Sequence, residues 1–366
     1  MKIVDVKIHK LVVPMWPDAV NSPGVEDPLC APDHFSGRVA NFWAFPKWII
    51  EMVADNGLVG LGEPPRGDIH EPLTQYAESI VGKSLPELPF ANLPLPHGDT
   101  YKTYMIYEAF EMAWLDLLGK YLNVPVCWLL GGNKIDRVPV DYFMGRADPE
   151  ETARRTQVAV EKGFRQIYFK CALGDPIVER VRAAREVAPD LPIVLDPNER
   201  FHNIAGAVKV SRSLEGLGPV IFESPVPQHR LDWYVLLRQK ISQPIALHLA
   251  GFTPLVAALR ADAADYYVLN GTINDFIQWA RTAQAAGCPA SRGTGLDLGV
   301  RDMSSVHAAA AVGCGMPSQI YGNFLREDDL VINPIQYEDG CAVVSDAPGL
   351  GVELDMEAVE KYRVPV

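Results

Sequence analysis

From Tyr142 onward the chain repeats one local unit: a short apolar run bounded by Pro, Gly or Asp, then an amphipathic stretch of helical length. YFMG, RQIYFKC, LPIVLD, PVIFE, QPIALH, ADYYVLN and CPAS alternate with DPEETARRTQVAVEKG, DPIVERVRAAREVAP, NIAGAVKVSRSLEGLG, LDWYVLLRQK, TPLVAALRADA and NDFIQWARTAQAAG. Short continuous apolar strands joined by periodic helices specify parallel β/α units, because a parallel sheet is buried on both faces and needs crossover connections. A further helix, VRDMSSVHAAAAVG, and a weak strand near SQIYG bring the strand count to about eight, the number of a TIM-type barrel. An open doubly wound sheet is the alternative, but no glycine-rich phosphate loop follows the first strand.

The first 125 residues follow a different pattern. Residues 1–13 and 46–62 read as antiparallel strands, with an Asp55-Asn56-Gly57 turn, and helices are expected around Leu73–Ile80 and Tyr104–Tyr121. Between the early strands lies a segment rich in Pro, Gly and Asp, from Trp16 to Gly37, that carries Trp16, Val20, Val25 and Leu29. A loop of that length in a compact domain is usually functional, and a lid over the barrel mouth is expected. The tail, VINPIQYEDGCAVVSDAPGLGVELD, reads as hairpin strands that return to the N-terminal region. The expected organisation is an α+β capping domain from residues 1–125, a barrel over 126–325 and a returning segment over 326–366.

A chain of 366 residues exceeds what one hydrophobic core normally holds. Its net charge of −13 argues against a nucleic-acid partner, and no apolar run approaches a membrane span. The N-terminus alternates as a strand and lacks the apolar block of a signal peptide. Six cysteines (Cys30, Cys127, Cys171, Cys288, Cys314 and Cys341) show no CxxC pairing and read as reduced thiols, so a cytoplasmic protein is expected.

Three residues fall at the C-terminal ends of successive strands, one strand-plus-helix unit apart: Asp196 in IVLDPNER, Glu223 in PVIFESP and His248 in PIALHLAG. Barrel strand ends open into one mouth, so these side chains should converge and could hold a divalent cation. One unit upstream, Tyr168 and Lys170 of IYFKC alternate onto the same strand face and point into that mouth. Singly, each carboxylate could instead cap a helix or pair with a cation. His248 could be a ligand, a base or an outer-shell group, and imidazole suits Mn²⁺ better than Mg²⁺. Lys170 could be a base near a cation, or the salt-bridge partner of Asp196 or Glu223. Asn198 and Asn270 could contact substrate or serve only turn chemistry. Cys171 follows Lys170 and should pack outward, and His307, in an alanine-rich helix, reads as structural.

Several phrases together resemble the enolase superfamily, in its mandelate racemase and muconate lactonising enzyme branch: DNGLVGLGE, YEAFEMAWLDLLGKYLNVPVCWLLGG, GFRQIYFKCALGDP, IVLDPNE, IFESP, PIALH and DAPGLGVELDMEAVEKYR. The resemblance implies a modified (β/α)7β barrel under an α+β cap, a small-molecule carboxylate substrate and one divalent cation, magnesium or, with His248, manganese or another transition metal. It implies an enediolate intermediate formed by a base, and a homo-oligomer is expected. Asp196 and Glu223 fall on the first two metal positions, and His248 on the third, where relatives usually carry Asp or Glu. Lys170 falls on the second lysine of a Lys-x-Lys signature, and Tyr168 replaces the first. Asn270 and Gly293 stand where relatives place their other bases, and Asp297 where the lactonising branch carries an acidic residue.

An amide and a glycine cannot titrate near neutrality, so a one-base reaction from Lys170 is expected. That favours dehydration of a hydroxy acid or acid sugar, with cycloisomerisation or epimerisation as the alternative. Tyr168, His248 or a lid residue would supply the general acid. A catalytically silent carboxylate binder stays open, and a hydrolytic metal barrel is disfavoured by the absence of an early HxH pair.

Overall fold

Strands β1 (Ile3–Leu11), β2 (Lys47–Ala54) and β3 (Val59–Gly62) form an antiparallel sheet in that order, with Ile8 opposite Ile50 and Ile50 opposite Gly62. The Asp55-Asn56-Gly57 turn joins β2 to β3, with Gly57 in the left-handed region at φ +84. Gly60 and Gly62 let β3 seat directly on the helix Thr100–Leu122. A Cβ at either position would stand 2.0 Å from the carbonyl oxygen of Ala113 or Ala109. Trp48, Ile50, Leu73, Phe110 and Leu117 form the apolar core of this cap, with the helix His70–Ile80 on its other side. The computed structural model describes residues 1–16, 45–67, 69–88 and 100–365. Apart from Trp16, the expected lid, including Val20, Val25 and Leu29, lies outside the described residues.

Seven parallel strands follow in sequential order: β5 (Tyr142–Met144), β6 (Ile167–Lys170), β7 (Ile193–Asp196), β8 (Val220–Glu223), β9 (Ile245–Ala250), β10 (Tyr266–Asn270) and β11 (Ala290–Arg292). The intervening helices start where the sequence signals them: Asp148 caps Pro149–Glu161 by accepting from Glu151 N, and Thr272 caps Ile273–Ala285 by accepting from Asp275 N. The weak strand near SQIYG closes the ring through three backbone hydrogen bonds. Ser318 N donates to Pro139 O, Asp141 N to Ser318 O, and Gln319 N to Arg292 O. The expected barrel is therefore present, with its eighth stave reduced to a bridge.

The tail returns to two places. Its hairpin, β12 (Tyr337–Glu338) and β13 (Cys341–Val343), pairs with β4 (Arg137–Pro139), which leads into the barrel. Beyond it, Val12 N donates to Tyr362 O and Val364 N to Lys10 O, so the last helix, Met356–Tyr362, meets the end of β1 in the cap. Among the described residues no helix is long and apolar enough to cross a membrane, and the five described cysteines are free thiols.

Candidate active site at the barrel mouth

Parallel register sets the strand ends level. Lys170 lies beside Asp196, and β7 and β8 end together, with Asp196 and Glu223 each following the last pair, Leu195 and Phe222. Pro197 then stops β7, and Asn198 and Glu199 turn away with φ of 45 and 67. The Asp196 side chain stabilises that turn itself, since its Oδ1 accepts from Asn198 N at 2.8 Å. Asp196 and Glu223 are 1% and 2% exposed, and so are desolvated at the floor of the mouth.

Side-chain donors from β6, β9 and the closing segment converge on these two carboxylates. The Tyr168 hydroxyl donates to Asp196 Oδ2 and lies 3.3 Å from Glu223 Oε1, bridging the pair. The Lys170 ammonium donates to the same Asp196 oxygen and to the Tyr168 hydroxyl at 3.2 Å. Burial first, then the charges of Asp196 and Glu223, push the Tyr168 hydroxyl well above its usual pKa, so it remains a donor. Asn270 Nδ2 donates to His248 Nε2 at 2.7 Å, which leaves His248 Nδ1–H to donate to Glu223 Oε1 at 3.1 Å. Gly293 is tied to this pair sterically. A Cβ there would stand 2.7 Å from both His248 Nε2 and Asn270 Oδ1, so a side chain at 293 would force this pair to shift.

Gln319 had no sequence motif to mark it. Its Nε2 donates to Glu223 Oε1 at 3.1 Å and Oε2 at 2.9 Å. Asn198 is exposed at the rim. Asp297 is 4% exposed, and its oxygens are taken by Lys47, Arg301 and Gly295 N, all within 2.8 Å. Burial raises its carboxyl pKa, but the Arg301 and Lys47 cations override that and hold it well below the usual carboxylate range. Cys171 and His307 are buried, as expected of packing residues.

These residues suit a divalent cation on grounds of charge. Two desolvated carboxylates face one hydrogen-bonded ammonium, and the Tyr168 hydroxyl and Gln319 amide add donors without adding charge. The surplus negative charge favours a cation, and carboxylate oxygens are ligands of the magnesium type. With the oxygens so engaged, no three His, Cys, Asp or Glu side chains among the described residues form a ready-made chelate.

Residues 151–359 match a family described as enolase C-terminal domain-like. The chain is also 30% identical to a muconate cycloisomerase of Rhodococcus opacus, over 94% of this chain and 97% of that one. The chain belongs to the enolase superfamily. Its branch is that of mandelate racemase and the muconate lactonising enzymes, as the motifs of the sequence imply. Within this superfamily it is similar to N-succinyl-L-Arg/Lys racemase of Bacillus cereus, at 24% identity over 87% of this chain and 90% of the other. The crystal structure of the N-succinyl Arg/Lys racemase from that organism aligns with a TM-score of 0.84, at 23% identity over 100% and 99% of the two chains. An arabinonate dehydratase of Saccharolobus solfataricus is 27% identical over 69% of this chain and 70% of its own. Superfamily members bind a divalent metal, typically magnesium. One solved relative, an enolase of Pseudomonas fluorescens (TM-score 0.79, 23% identity, 99% and 92% covered), holds magnesium, potassium and tartrate.

Proposed function

We propose that this superfamily member removes the proton α to a carboxylate, with Lys170 as base, and yields an eliminated or cyclised acid. One observation carries the reading. The Lys170 ammonium sits on Asp196, while the strand ends across the mouth offer Asn270 and Gly293, neither of which accepts a proton near neutrality. Asp196 and Glu223, with His248 as third ligand in exchange for its present hydrogen bonds, would hold a magnesium- or manganese-type cation, which when bound would supply electrostatic stabilisation of charge developing on the substrate carboxylate. Lys170 takes the α-proton from one face. Tyr168, kept protonated by its surroundings, donates a hydrogen bond where that charge develops or protonates the departing group. Asn198 at the rim is placed to meet the distal part of a substrate, whereas Asp297 serves the frame that joins cap and barrel.

With hydroxide as the departing group the reaction is dehydration of a hydroxy acid or acid sugar. With a lactone or ring oxygen it is cycloisomerisation, and the muconate cycloisomerase similar over 94% of the chain favours that second reading. Racemisation would require His248 to serve the opposite face. The test is a screen of hydroxy acids, acid sugars and lactones with Mg²⁺ or Mn²⁺ in deuterated water. Lys170-dependent α-exchange with an eliminated or cyclised product supports the proposal. Equal-rate racemisation of a chiral acid overturns it, and tight binding without any exchange points to a silent carboxylate binder.

A further inference from the structure

Gln319 occupies the segment that closes the barrel, and its backbone is held on both sides. Its own N donates to Arg292 O at the end of β11, while the preceding Ser318 exchanges hydrogen bonds with Pro139 O and Asp141 N at the start of the ring. The residue is 3% exposed and its side chain points inward, where the single nitrogen Nε2 lies 3.1 and 2.9 Å from the two oxygens of Glu223. A donor that straddles both oxygens sits in the fork of the carboxylate and fixes the plane of that group about its last torsion. The other donors to Glu223, Tyr168 and His248, both address Oε1. Among the hydrogen bonds described, Oε2 has Gln319 alone. We propose that Gln319 is a positioning residue that sets the rotation of Glu223 and thereby the affinity of the barrel mouth for a divalent cation. The proposal rests on the reading in which Glu223 is a cation ligand.

An amide suits that task because it is neutral. It satisfies the buried carboxylate without cancelling its charge, whereas a lysine or arginine at 319 would compete with the cation for it. With its fork filled, Glu223 presents outer lone pairs and meets a cation through one oxygen. Partners that orient a metal ligand are typically worth about 10- to 100-fold in metal affinity.

The test is calorimetric titration of the full chain with manganese chloride and magnesium chloride, read beside thermal unfolding. Gln319→Met keeps the unbranched shape and loses the donor, and Gln319→Asn keeps the amide but is too short to reach. In each folded variant the dissociation constant should rise about 10- to 100-fold, with unfolding close to that of the unaltered chain. Unchanged or tighter binding in a folded variant overturns the positioning role. Unfolding of both variants also overturns it, by assigning Gln319 to barrel closure alone. An unaltered chain that binds neither ion removes the reading of Glu223 as a ligand, a failure distinct from that of Gln319.

Discussion

The Lys47 ammonium, at the head of β2 in the cap, donates to Asp297 Oδ1 at 2.7 Å, across 250 residues of chain. It also lies 2.7 Å from Glu63 Oε1 and 3.0 Å from Pro64 O, and its side chain has no exposure to water. Asp297 accepts from Arg301, Arg301 donates to Glu108, and Arg292 at the end of β11 donates to the same Glu108 oxygen. Cap and barrel thus share one buried chain of alternating charges that ends a single residue from Gly293.

Removing one member strands the others, since a buried carboxylate without its cation has neither water nor a partner. Lys47→Met should destabilise the protein by about 3–5 kcal/mol. In urea unfolding, a loss below about 1 kcal/mol would show that the network relaxes around the gap. The double variant Lys47→Met with Asp297→Asn should lose less than the sum of the single losses, because the two residues are in contact.

Lys170→Ala should lower α-proton exchange and turnover by about 10²–10⁴-fold, the usual value of a positioned base. The same change removes the ammonium that offsets Asp196, so Mn²⁺ should bind as tightly as before or more so. Weaker binding would mean that Lys170 organises the carboxylates and is not chiefly their counter-charge.

Asp196→Asn removes one of two buried negative charges and should abolish measurable cation binding in calorimetry. Because imidazole is a softer donor than carboxylate, Mn²⁺ should bind the unaltered chain more tightly than Mg²⁺. The reverse order would argue that His248 keeps its bonds to Glu223 and Asn270 when a cation is present.

His307 gives the stability a defined pH dependence. Burial pushes its imidazole down to about 4, while Nδ1 accepts from Cys127 N at 3.3 Å and Nε2–H donates to Leu350 O at 3.1 Å. An unfolded histidine titrates near 6.5, so between about pH 6.5 and 4 the unfolded chain binds a proton that the folded chain refuses. Stability should fall as pH drops through that window, by up to about 3 kcal/mol. His307→Gln should flatten this part of the profile. An unaltered slope in the variant would assign the acid loss to other groups.

What the sequence determined by itself was the architecture and the floor of the mouth. Alternating apolar runs and helices impose parallel, sequential strands, and period-two alternation sends Tyr168 and Lys170 to one face beside the strand-end residues Asp196, Glu223 and His248. Those are local rules, fixed within one β/α unit. The tertiary structure decided the rest. It brought Gln319, in a strand reduced to a bridge, onto Glu223, tied Asp297 to Lys47 and Arg301, and sent the hairpin of the tail to β4 and only its last helix to β1. These relationships depend on how the ring closes and how the cap seats on it, which bring Gln319 onto Glu223 across 96 residues and Lys47 onto Asp297 across 250. No local pattern encodes such distances, because each partner reads alone as an ordinary polar residue until closure removes the water around it.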